Sequence, residues 1–217
     1  DLANRPQWFT VNGGSSSYIE PLIQQFADSI HVSTPVVAVS RSEDSVLVQT
    51  GSGSEAYDHV VFACHGDEAL AVLDDSGRNE KEILSSFRFT DNRVVLHTDT
   101  SLLPSRKAAW ASWNYRITDT SGQLPTLTYN MNILQRLQTT HTYLVTLNQE
   151  IDDDYVIDEF HYAHPVYNTA MIEAQKRWHE ISGIDRIHYC GAYWFNGFHE
   201  DGVNSALRVA SAFGERL

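Results

Sequence analysis

Cationic side chains are scarce in this 217-residue chain. Its 15 Lys and Arg stand against 28 Asp and Glu, for a formal net charge of −13 at pH 7. Phosphate contacts need clustered Lys and Arg, so this balance argues against a nucleic-acid partner or an anionic membrane surface. Cysteine is almost missing too. Cys64 and Cys190 both lie inside apolar β-type runs, far apart in the chain, and are expected to be buried. Two such thiols do not make a disulfide framework or a metal cage, and they suit a reducing compartment, so a cytoplasmic location is expected. No apolar run approaches the roughly 20 residues that cross a bilayer. Asp1-Leu-Ala-Asn-Arg5 lacks the apolar core of a secretory signal and lacks an initiating Met. The expectation is a processed product or an excised piece of a longer protein.

Two catalytic signatures are also absent. Gly51-Ser-Gly-Ser-Glu-Ala56 matches the G-x-G-x-x-G/A dinucleotide pattern and follows a β run. Only Tyr57 and Asp58 separate it from the next β run, so no helix follows to face a pyrophosphate, and a hairpin loop is expected there. No G-x-S-x-G elbow marks a serine hydrolase. His199-Glu-Asp201 are three adjacent residues that cannot all face one ion from a regular element, so no metal site is expected.

What remains is a globular chain, 42% hydrophobic and 20% charged, long enough to bury a core in roughly one or two domains. Ser15 to Ala27 carries apolar residues at Ile19, Leu22, Ile23 and Phe26, a helical stripe behind serine caps. Thr34–Ser40, Ser45–Thr50 and Tyr57–Cys64 are β-rich and spaced as a meander. Short helices are expected at 67–73 and 79–87. From Phe89 onward, Arg93–Asp99, Ala108–Ile117, Thr126–Asn130, Thr142–Leu147 and Tyr155–Tyr162 alternate or are β-branched. They predict an antiparallel or mixed sheet, with a helical turn at 132–137. A helix is expected over Ala170–Ile181. The class is therefore α+β.

The last segment carries the most information. Ile187–Cys190 is a short β run that stops at Gly191. An aromatic and glycine loop follows, and Glu200-Asp-Gly202 opens a helix with Val203, Ala206, Leu207 and Ala210 on one predicted face. A helix start with free N–H groups and a glycine is suited to an anionic group. Gly197-Phe-His-Glu-Asp-Gly-Val-Asn-Ser-Ala206 resembles the C-terminal flavin-binding segment of the flavin-containing amine oxidase superfamily, which includes amine oxidases, protoporphyrinogen oxidase and phytoene-type desaturases. Ala206 departs from that pattern, where many members have Gly. Trp8-Phe-Thr-Val-Asn-Gly-Gly14, Leu96-His-Thr-Asp99 and Ala109-Trp-Ala-Ser-Trp-Asn-Tyr115 are similar to strings in a bacterial amine-oxidase-like subgroup.

The resemblance implies FAD as cofactor, hydride transfer from a small-molecule substrate to flavin N5, and three regions. Residues 1–66 would be a partial FAD-binding region, 67–182 a substrate domain, and 183–217 the C-terminal FAD-binding strand and helix. It places Gly191, Ala192, Asp201, Gly202 and Val203 at the flavin and ribityl side, and Val36 at the adenine. Asp201 could equally be a helix cap. His97 is a candidate base on a strand, or simply a hydrogen-bonded residue. Trp113 and Tyr115 share a strand face and could wall a substrate pocket or pack in the core. None of Lys81, Lys107 and Lys176 is on a strand clearly facing a ring. The 217 residues alone are expected to be inactive, as a C-terminal part lacking the dinucleotide motif. The alternatives are a non-catalytic β-rich binding domain and an FAD-dependent lipid or isoprenoid desaturase.

Overall fold

The structure is a computed structural model that describes residues 7–117 and 126–215. Along the chain the elements are α1 (Ile19–Ile23), β1 (Val36–Arg41), β2 (Val46–Thr50), β3 (Gly53–Tyr57), β4 (Val60–Phe62), α2 (Gly66–Val72) and α3 (Arg78–Leu84). They continue with β5 (Phe89–His97), β6 (Trp113–Arg116), β7 (Thr126–Asn130), α4 (Met131–Leu134), β8 (Leu144–Leu147) and β9 (Val156–Pro165). The last are α5 (Thr169–Lys176), β10 (Ile187–Tyr189) and α6 (His199–Ala210). The α+β class and the antiparallel sheets with flanking helices match the expectation. Among the described residues no helix is long and apolar enough to cross a membrane.

The chain divides into two compact units, Asp1–Ile30 with Asp91–Ala163, and His31–Thr90 with His164–Leu217. These bounds differ from the predicted breaks after residues 66 and 182. In the second unit α2 packs on β1 and α3 on α5. Burial of those helix faces keeps residues 67–90 and 164–182 with the strands around them.

The first unit is built on a five-stranded sheet in the order β6-β7-β8-β5-β9. β7 and β8 alternate between a buried and a part-exposed face, the period-2 pattern of a half-covered antiparallel strand. Their buried side is polar as well as apolar, with Thr126, Thr128, Asn130 and Thr146 beside Leu144. The predicted helix at Ser15–Ala27 is reduced to a 3-10 turn at Ser15–Tyr18, the short α1, and a second 3-10 turn at Ala27–Ser29. None of these pieces contains a buried residue. A short helix without a packed face has little to hold it. The serines do not cap it either; the Ser17 hydroxyl donates to the Gly14 carbonyl at 2.7 Å.

The second unit holds the meander β1-β2-β3 and a separate two-stranded parallel pair, β4 with β10. The third meander strand is Gly53–Tyr57, not the predicted Tyr57–Cys64. The dinucleotide-like string supplies a turn at Gly51-Ser52 and then β3 itself. Val60–Phe62 instead pairs with Ile187–Tyr189. Alternation cannot tell an antiparallel neighbour from a distant parallel one, which is why the sequence missed this. The core lies around the pair: Phe62, Leu73, Ile83, Leu84, Phe87 and Tyr189 are all buried. Phe87 sits edge-on to Tyr193 and Trp194, at 4.8 and 4.6 Å between ring centroids, and Asn168 caps α5 by accepting the Met171 amide.

Candidate functional site

The parallel pair positions the candidate site. β4 and β10 run the same way, so both release the chain at one edge. Past β4, Ala63-Cys64-His65 leads straight into α2. Past β10, the Cys190 amide still pairs with the Phe62 carbonyl at 2.9 Å before the chain turns at Gly191. A 3-10 turn over Ala192–Trp194 and a short loop then deliver α6. Helix starts beyond the carboxyl ends of parallel strands are where α/β sheets bind ligands.

Gly191 is required by its geometry. Its φ is 147°, and a Cβ would lie 2.5 Å from Tyr193 Cε1. Its amide donates to the Ser205 hydroxyl at 2.7 Å, and that hydroxyl donates to the Gly202 carbonyl at 3.0 Å. Asp201 acts as a cap: its carboxylate accepts the Phe198 amide at 2.9 Å. The Gly202 amide is already inside the helix ladder, bonded to the Phe198 carbonyl at 3.1 Å. The amides left for a ligand are those ahead of this first ladder bond, at Glu200 and Asp201. The buried face of α6 also differs from the predicted one. Ser205 and Val209 are buried, while Ala206 faces out and Val203 is 49% exposed. The Ser205 bond to Gly191 fixes that rotation.

At Gly202 a Cβ would meet only the Ala192 methyl, at 3.9 Å. Ala192 and Gly202 thus face each other across a shallow open cradle beside the helix mouth. That fits a flat group approaching the N–H ends, as a flavin would. In the 3-10 turn after Gly191, the side chains of Tyr193 and Trp194 are buried. Burial pushes the Tyr193 hydroxyl well above the ordinary tyrosine range. Val36 lies on the meander, at the first residue of β1 ahead of a bulge, and is not part of the β10–α6 cluster.

Tyr167 was not legible in the sequence. Its hydroxyl lies 2.6 Å from where a Cβ on Gly197 would stand, and Gly197 has φ +88°. Burial, and then the charge of Asp201, raise its pKa. No spacing signal links residue 167 to the loop at 197. Cys64 is exposed, against expectation, and Cys190 is buried; both are free thiols.

In the first unit, His97 is fully buried on β5. Its Nδ1 accepts the Asp99 amide at 3.1 Å, which leaves the ring proton on Nε2. Nε2 faces Thr146 Oγ1 at 2.7 Å, and that hydroxyl faces Thr128 Oγ1 at 2.9 Å. Burial lowers the His97 pKa. A neutral ring with both nitrogens engaged has no atom left for a substrate proton. Trp113 and Tyr115 do share the exposed face of β6, at 45% and 67% exposure. Trp113 meets Trp8 edge-on at 5.9 Å and lines a cavity of about 610 Å³. Lys176 pairs with Glu173, and Lys107 lies 5.6 Å from the Trp110 ring centroid. No cluster of three or more His, Cys, Asp or Glu among the described residues could hold a metal.

Parallel strand ends feeding a glycine-flanked helix start are an arrangement at which nucleotide cofactors can bind. Residues 3–107 match the family model for flavin containing amine oxidoreductases. Solved structures share the fold. Cyclohexylamine oxidase from Brevibacterium oxydans IH-35A aligns with a TM-score of 0.62 at 11% identity, covering 93% of this chain and 53% of that one. Putrescine oxidase bound to putrescine aligns at 0.61 and 12%, covering 94% and 53%. A fatty acid isomerase from P. acnes that produces CLA aligns at 0.54 and 11%, covering 83% and 47%. No curated protein sequence matches. Residues 3–107 thus resemble the flavin containing amine oxidoreductases in sequence, and the chain shares the fold of these solved structures over most of its length. It spans about half the length of these solved structures.

Proposed function

We propose that the chain is part of an FAD-dependent oxidoreductase of the amine oxidase type, acting on a small-molecule substrate in the cytoplasm. The observation that carries this is the cradle between Ala192 and Gly202 at the mouth of α6, held open by the Gly191–Ser205 bond. Flavin, when bound, would supply the hydride-accepting chemistry, with oxygen or another acceptor as oxidant. The chain's own residues bind and orient. The amides of Glu200 and Asp201 and the positive end of α6 favour charge on the pyrimidine side of the ring. Asp201 holds the helix start rigid through the Phe198 amide, and Val36 is assigned to the adenine side. Val203, exposed one residue after the cradle, covers the edge of the ring. Trp113 and Tyr115 offer an apolar wall for substrate. Hydride transfer from an amine, or from a lipid or isoprenoid carbon, is open to this arrangement. His97 serves packing on this view, and no base is assigned.

The competing view is a non-catalytic β-rich binding domain. It is favoured by the lack of a strand, glycine loop and helix for the diphosphate. An absorbance spectrum of the protein purified from its whole gene separates the two. Flavin bands that stay with the protein support the oxidoreductase. A colourless protein that takes up no added FAD supports the binding domain.

A further inference from the structure

The cavity of about 610 Å³ in the first unit has a charge pattern that does not suit an amine. Trp8, Phe9, Trp113, Ile133 and Leu134 give it apolar walls, and its volume lies within the roughly 300–1,000 Å³ of small-molecule sites. The other lining residues, Gln7, Thr10 and Ser112, are uncharged. Among the described residues Arg136 is the single charged residue of the lining, and no carboxylate lines the cavity. Among the described residues no carboxylate pairs with Arg136 elsewhere.

The backbone adds a second observation. Arg136 follows α4 with φ +54°, in the left-handed region. A residue with a Cβ is strained there by about 1–2 kcal/mol, and glycine is the usual choice at the end of a helix. The turn is secured around it, since the Leu137 amide donates to the Asn132 carbonyl at 3.0 Å. Asn132 in turn donates to Thr139 Oγ1 and to the His141 carbonyl, both at 2.9 Å. A strained arginine beside an aromatic cavity, with no carboxylate partner among the described residues, is placed for a ligand rather than for the fold.

We propose that this cavity binds an amphipathic molecule with an apolar body and an anionic head, a carboxylate set against Arg136. The body lies along Trp8, Trp113 and Ile133, and the guanidinium takes the carboxylate through paired N–H donors. This deepens the assignment of Trp113 as a pocket wall and does not require flavin. A cationic alkylamine meets the like charge of Arg136 and no acid to receive it.

Dodecanoate, dodecanol and dodecylamine, each below its micelle concentration, test this by calorimetry with tryptophan fluorescence as a second readout. Dodecanoate is expected to bind at least about tenfold tighter than the other two, the usual scale of a charge-assisted contact. R136Q should remove the carboxylate's advantage over the alcohol and leave the alcohol unchanged. R136G relieves the left-handed backbone, so it should fold at least as well and show the same loss. W113A should weaken all three ligands. Equal binding of dodecylamine and dodecanoate, an unchanged dodecanoate affinity in R136Q and R136G, or no binding of any probe would overturn the proposal. A colourless protein that still binds dodecanoate would leave it standing while defeating the flavin assignment.

Discussion

The Gly191 amide donates to the Ser205 hydroxyl at 2.7 Å. This joins the end of β10 to the middle of α6, and the Ser205 hydroxyl donates in turn to the Gly202 carbonyl. Ser205 is 1% exposed, so water cannot replace it without rearrangement. S205A leaves a buried N–H unmatched, which costs about 1–3 kcal/mol. Urea unfolding should show that loss. Flavin uptake by the protein from its whole gene should fall further than stability does, because the helix mouth is released from the strand end. Unchanged unfolding midpoints would remove this link from the account.

The two glycines of the site should respond in opposite ways. At Gly191 a Cβ collides with the Tyr193 ring at 2.5 Å and φ is 147°, so G191A should be severely destabilised, by more than about 2 kcal/mol. At Gly202 a Cβ meets the Ala192 methyl at 3.9 Å, an ordinary contact. Alanine is the better helix former, so G202A should raise stability by roughly 0.5–1 kcal/mol. The same methyl fills the cradle and should lower flavin uptake. Thermal melts and absorbance titrations of both variants check this. A stabilised G202A with undiminished flavin would mean the ring sits elsewhere.

Stability should depend on buried histidine. Burial lowers the pKa of His97 below its ordinary 6.5. Burial, and then the nearby His59 ring, lower that of His188. The unfolded chain therefore takes up protons first as pH falls. The contribution of these rings is complete above about pH 6.5 and is lost progressively below it. Urea midpoints should fall as pH drops from about 7 to 5, after correction for the carboxylates shared by all variants. H97Q and H188Q should each flatten that slope. An identical slope in both variants would show that neither ring carries the effect.

Much of this molecule could be read before its structure. The strand–glycine–helix order of Ile187 to Ala210 is local, and local order is what residue pattern encodes. Asp201 as a cap was visible for the same reason. The pairing of Val60–Phe62 with Ile187–Tyr189 was not, since it joins residues more than a hundred positions apart and leaves no periodic trace. Tyr167 beside Gly197 and Arg136 beside Trp113 were hidden likewise; each depends on tertiary placement. The α6 face was misjudged because hydrophobicity favoured Val203 and Ala206. A hydrogen bond at Ser205 decided the rotation instead, and a polar residue gives no weight to a hydrophobic stripe.

The 217 residues on their own should hold FAD weakly. A diphosphate needs several N–H groups from a glycine loop at a helix start. The one string that matches such a loop, at residues 51–56, folds into a hairpin turn and the exposed strand β3. The other helix start at the parallel edge, α2, carries Asp67 and Glu68 in its first turn. Those charges repel a phosphate, and the net −13 adds to the repulsion. The cradle at Ala192 and Gly202 can contact only one end of the cofactor. Gel filtration of this chain with added FAD should therefore separate flavin from protein, with no flavin absorbance in the protein peak. The protein made from its whole gene should carry flavin through the same column. Stoichiometric FAD eluting with the 217 residues would show that an anchor for the diphosphate exists in them after all, and the hairpin and the α2 start would be the first places to look for it.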